Sequence, residues 1–78
     1  MYAPPPKKML IINILDILKK YTDENHRLRQ KDIIKILNKE YCMKIDRKSV
    51  KRNLMNLIEI GYDIEYRESI RLIKDKNG

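Results

Sequence analysis

The chain has 78 residues and a formal charge of +7, from 18 Lys+Arg against 11 Asp+Glu. That length allows one small domain and excludes an α/β barrel or a complete dinucleotide-binding fold. The apolar fraction is 42% with no Trp and no Phe, so a core must be assembled from Ile, Leu, Val and Met.

A chain of this size buries roughly 60% of its unfolded surface, enough to fold alone on a modest core. A pI near 9.6 favours polyanionic partners, nucleic acid before anionic membrane, with solubility alone as the plainer explanation. The single cysteine, Cys42, excludes an internal disulfide and a cysteine-based zinc cage, and fits a reducing cytoplasm. The longest apolar run, residues 9–12, is far too short for a membrane span. The prolines are followed by a helical pattern rather than a cleavage site, so no signal peptide is expected.

In chain order, residues 1–6 form a proline-rich arm, which favours an extended backbone. Residues 7–21 carry Leu10, Ile14, Ile17, Leu18 and Tyr21 at helical spacing, with Ile11 and Leu15 widening the stripe. Residues 22–27 are polar and aperiodic, and Arg27-Leu28-Arg29 is long enough only for an edge piece of sheet. A second helix is expected over 30–41, burying Ile33, Ile34, Leu37 and Tyr41. Asp46 is a suitable N-cap for a third helix over 47–60, in which Val50, Leu54, Leu57 and Ile58 make the apolar stripe and Gly61 ends it. The period then changes to two: Tyr62, Ile64 and Tyr66 alternate with Asp63, Glu65 and Arg67, and a second strand follows over 70–73. Residues 74–78 read as a polar tail.

Helix, short edge, helix, helix and hairpin is a mainly α arrangement with a small β-hairpin: a winged helix-turn-helix of three helices plus wing, occupying residues 7–73. The connection between the second and third helices is short enough for the angled pair of that motif.

The segment Arg29-Gln30-Lys31-Asp32-Ile33-Ile34, then Asp46-Arg47-Lys48-Ser49-Val50-Lys51-Arg52 with Leu54, then Gly61-Tyr62-Asp63-Ile64 resembles the N-terminal winged-helix domain of WYL-domain transcriptional regulators. The resemblance implies sequence-specific binding of double-stranded DNA and transcriptional control. The family's effector response is not carried over, because its ligand-sensing domain is not among these residues. Arg29 stands where that pattern has a small N-cap residue, which predicts a weak start to the second helix. The turn Arg67-Glu68-Ser69 lacks glycine, which predicts a short or irregular wing.

With the buried stripe of the third helix centred between Val50 and Leu57, a turn of 100° per residue points Lys48, Arg52, Met55, Asn56 and Glu59 outward. Arg can bond guanine bidentately and Asn can do the same to adenine. Arg52 and Asn56 are therefore the candidate base readers, and Lys48 can serve base or phosphate. Arg47, Ser49 and Lys51 are assigned mainly to phosphates. Met55 fits either a thymine methyl or a protein partner. Arg27, Arg29, Gln30 and Lys31 open the second helix, where such proteins cross the DNA backbone, and at least one phosphate contact is expected there. Arg67 and Arg71 on the hairpin either approach a minor groove or pair with Glu65 and Glu68.

No enzyme activity, cofactor or metal site is expected. His26 is the only histidine and has no reactive partner at useful spacing, Cys42 reads as a half-buried small hydrophobe, and no glycine-rich phosphate loop exists. The alternative function is a small protein-interaction module that blocks a nucleic-acid-handling complex. A homodimer through Met9 and Ile12 is left open.

Overall fold

The three helical patterns become three helices in the computed structural model, which describes residues 9–74. The proline arm, Lys7, Lys8 and residues 75–78 lie outside the described residues. Helix α1 spans Leu10–Tyr21, α2 Gln30–Tyr41 and α3 Arg47–Ile60; β1 (Asp63–Tyr66) and β2 (Ile70–Lys74) form an antiparallel hairpin. This is a mainly helical, winged-helix-like architecture. Lys74 is not the start of a polar tail but the last residue of β2, paired with Asp63.

The core lies where the helices cross and the hairpin closes one side. Leu10, Ile14, Ile17 and Leu18 of α1 meet Ile33 and Leu37 of α2 and Val50, Leu54 and Leu57 of α3, with Met43, Ile64 and Ile70 completing it. Of the other expected core residues, Ile34 and Tyr41 are half-buried at its edge and two are exposed. Tyr21 is exposed because its ring sits at the end of α1 and its hydroxyl donates to Glu40. Ile58 is exposed because it stands about 90° around α3 from the centre of the buried stripe between Val50 and Leu57.

Local signals fix both ends of α3. The Asp46 carboxylate accepts the Ser49 N–H at 2.9 Å, filling one of the orphan donors of the first turn. At the other end Gly61 has φ 128°, and the N–H groups of Gly61 and Tyr62 fold back on the carbonyl of Leu57 at 3.2 and 3.1 Å. Only glycine takes that positive φ without a steric cost.

The start of α2 is stronger than Arg29 alone predicts. Arg29 offers no side-chain acceptor, but the Asp32 carboxylate accepts the Arg29 N–H at 3.0 Å, one half of a capping box. The helix ends at Cys42, which adopts a left-handed conformation (φ 56°) and is exposed rather than half-buried. A non-glycine residue there costs roughly 1–2 kcal/mol. At this reversal the Met43 N–H returns to the Leu37 carbonyl at 3.0 Å and the Met43 side chain enters the core.

Leu28 and Ile70 exchange backbone hydrogen bonds of 2.9 and 2.6 Å, so the edge piece before α2 joins the hairpin through β2. Buried Thr22 donates its hydroxyl to the Leu18 carbonyl and accepts the Leu72 N–H at 3.0 Å, tying the end of α1 to the same strand. The wing is short, with residues 67–69 joining the paired Tyr66 and Ile70. None of the three turn residues takes a positive φ, which is how the turn forms without glycine. The irregularity lies at the opposite end, a register shift between Asp63 and Ile64.

Candidate nucleic-acid interface

Residues 47–52 of α3 include four cations, Arg47, Lys48, Lys51 and Arg52, and all four are exposed. Met55, Asn56 and Glu59 are exposed beyond them. Lys48, Arg52 and Asn56 stand free of the core on one side of the helix, because Val50, Leu54 and Leu57 take the other side. Ser49 lies on the border and is half-buried; its carbonyl accepts the Asn53 side chain at 2.7 Å. It lines a shallow recess with Leu10, Ile45, Arg52 and Asn53, on the α1 side of the helix.

The capping Asp46 is the local counter-charge of this face. Hydrogen bonding from Ser49 holds its carboxyl below the ordinary range, and the charges of Arg52 and Lys48 act in the same direction.

A second group of cations converges beside it. Arg29, Gln30 and Lys31 at the start of α2, Arg47 at the start of α3, and Tyr66, Arg67 and Glu68 at the wing tip line one cleft of about 370 Å³. Four of the seven lining residues are Arg or Lys, against one carboxylate. The positive end of the α2 dipole adds to that field. The cleft thus gathers Gln30, Lys31, Arg47 and Arg67 from three separate elements. Lys48, Ser49, Lys51, Arg52 and Asn56 are not part of its lining; Arg47 links the cleft to the α3 face.

Gln30 has a role besides the phosphate contact expected of it. Its side-chain amide donates to the Tyr66 hydroxyl, 36 residues away in the chain. Tyr66 and Glu68 are the cleft residues not singled out for nucleic-acid contact from the sequence. Strand alternation puts Tyr66 on the same side as buried Ile64, and that is the signal that points it at the helices.

The two hairpin arginines have different fates. Arg67 is exposed at the cleft, whereas Arg71 is committed within the protein. Its guanidinium donates to Glu65 at 3.2 Å and to the Glu24 carbonyl at 2.6 Å. Arg27 lies 3.0 Å from the other Glu65 oxygen, close enough for an ion pair but too far off line for a hydrogen bond. The Arg71 hydrogen bond, with the charges of Arg27, Arg71 and Arg67, holds the Glu65 carboxyl below its usual range. Arg27 and Arg71 thus brace the wing.

His26 pairs only with Asp23 in its own loop, Nδ1 to carboxylate at 2.8 Å. Among the described residues no group of three or more His, Cys, Asp or Glu is placed to hold a metal ion, and no helix is long and apolar enough to cross a membrane. Comparison of the chain with protein-family models, with curated proteins and with solved structures returns no match.

Proposed function

We propose that this chain binds double-stranded DNA sequence-specifically through α3 in the major groove, and works in the cytoplasm as a transcriptional regulator or its DNA-binding domain. The observation that carries the reading is the placement of exposed cations. The exposed α3 face of Lys48, Lys51, Arg52 and Asn56 shares its first turn with Arg47, which lines the cleft of Arg29, Lys31 and Arg67. One surface therefore offers both groups that can read base edges and groups that can hold phosphate. Arg52 and Asn56 read bases, Lys48 serves either, and Arg47, Lys51, Lys31 and Arg67 hold the backbone. Ser49 is left a peripheral contact by its half-burial. The resemblance to WYL-domain regulators points the same way, and no catalytic role is assigned.

The test is a mobility-shift series on a random-sequence duplex pool with a salt titration and sequencing of the retained DNA. Retention that falls with rising salt, together with an enriched sequence, supports the reading. Retention without enrichment, or none at physiological salt, overturns it.

A second reading, a protein-interaction module that blocks a nucleic-acid-handling complex, has one feature in its favour. Ile11, Ile12 and Leu15 of α1 face Leu57, Ile60 and Tyr62 across a small apolar groove, and Ile12 and Ile60 are about half exposed. Capture of one stoichiometric protein partner without duplex retention decides for it. The same groove is where a homodimer on paired half-sites would meet.

A further inference from the structure

Met55 is an apolar side chain in the middle of a charged face. Taking about 100° per residue, Lys48, Met55 and Glu59 fall within an arc of about 40° at the centre of the exposed side of α3. Lys51 and Arg52, one turn earlier, flank it on either side. Helical side chains lean toward the N-terminus, so the thioether lies over the turn that carries those two cations. Met55 is 37% exposed, while the core of α3 is taken by Val50, Leu54 and Leu57 on the far side.

A scattered apolar residue on a protein surface needs no explanation. This one differs in its position between Lys51 and Arg52. A face meant only for phosphate has no use for a thioether there. The floor of the major groove does offer one apolar group, the C5 methyl of thymine. Methionine is long, unbranched and polarizable, and can settle on a methyl group whose position is not fixed in advance.

We infer that Met55 is a specificity residue that reads the C5 methyl of a thymine in the bound duplex. The inference rests on the DNA-binding reading and deepens it. Met55 lies three residues beyond Arg52, about 4.5 Å along the helix axis. Base pairs are spaced by about 3.4 Å. The thymine is therefore one or two base pairs from the base that Arg52 contacts.

The experiment takes the duplex recovered from the random pool and replaces its thymines by deoxyuridine one position at a time, which removes only the methyl. Wild-type protein is expected to lose about three- to fivefold in affinity at one position, the worth of one buried methyl group. Met55→Ala is expected to bind the thymine and deoxyuridine duplexes equally, and Met55→Leu to keep most of the difference. If wild type is indifferent at every position, or Met55→Ala still discriminates, the inference falls while DNA binding stands. If no duplex is retained at all, the DNA-binding reading falls and the inference with it. Loss on Met55→Ala of a captured protein partner, with no sensitivity to the methyl, assigns the residue to a protein contact and overturns the inference.

Discussion

Gln30, the first residue of α2, donates its side-chain amide to the hydroxyl of Tyr66, the last residue of β1. Both residues line the basic cleft, and the bond ties the end of β1 to the start of α2. Arg67 follows Tyr66 directly, and Lys31 follows Gln30. The bond therefore sets the spacing between two cations that the chain holds 36 residues apart.

Tyr66→Phe removes that bond and leaves the ring. The site is half-buried, so water can reach the freed amide, and the loss in stability is expected at about 0.5–1.5 kcal/mol. Duplex affinity is expected to fall by more than stability predicts, because the wing is no longer held at a fixed distance from α2. A denaturant titration beside a binding isotherm separates the two effects. Unchanged affinity with the stability loss present makes the bond purely structural.

Arg47 and Arg52 are separated by little more than one turn yet are expected to behave differently. Arg47 lines the cleft; Arg52 stands on the outer face. Arg47→Ala is expected to weaken all duplexes alike and to lower the salt slope by about one. Arg52→Ala is expected to relax one base position by about 1–3 kcal/mol. Salt titrations on the selected duplex and on a scrambled one distinguish these outcomes.

The helices were legible because their signals are local. Asp46 and Gly61 bound α3 within a few residues of its apolar stripe, and both cap the helix as the spacing predicts. Leu28 was legible as an edge piece because a three-residue segment can do little else, and it pairs with Ile70. The cleft was not legible, since it joins residues 29–31, 47 and 66–68, which only the tertiary fold brings together. The separate fates of Arg67 and Arg71 were hidden for a related reason. They depend on hairpin register, which sets Glu65 directly opposite Arg71. Cys42 gave no warning of its left-handed backbone, because glycine or asparagine is the usual marker there. Ile58 has the apolar character of the stripe but not its angle on the helix, and it is the angle that decides its exposure.

Asp46 has two roles that substitutions can split. As N-cap it accepts the Ser49 N–H, and as an anion it sits close to Lys48 and Arg52. Asp46→Ala removes both roles, and its stability loss is expected at about 0.5–2 kcal/mol. Asp46→Asn keeps an acceptor of similar length and removes the charge. Its stability is expected to stay near wild type, and its affinity for any duplex is expected to rise at low salt, since a carboxylate no longer opposes phosphate. Thermal denaturation of both variants beside their low-salt binding checks this; equal affinity in wild type and Asp46→Asn would remove Asp46 and its neighbours from the interface.

Acid should unfold the protein partly through Glu65, Asp46 and Asp23. Hydrogen bonds hold each of these carboxyls below its ordinary range in the folded chain: from Arg71 to Glu65, from Ser49 to Asp46 and from His26 to Asp23. The unfolded chain takes up protons first, near the ordinary carboxylate value of about 4. Between that value and the lower folded ones the unfolded state binds more protons, so acidification favours unfolding. The stabilisation is complete above the unfolded value and is lost as pH falls through the folded one. Glu65→Gln removes the share that belongs to the wing and leaves Arg27 and Arg71 without their carboxylate. That variant is expected to be less stable at neutral pH and to lose less on further acidification. Urea midpoints measured from neutral pH into the acid range give both numbers, and a parallel decline in wild type and variant would show that Glu65 contributes nothing to the acid transition.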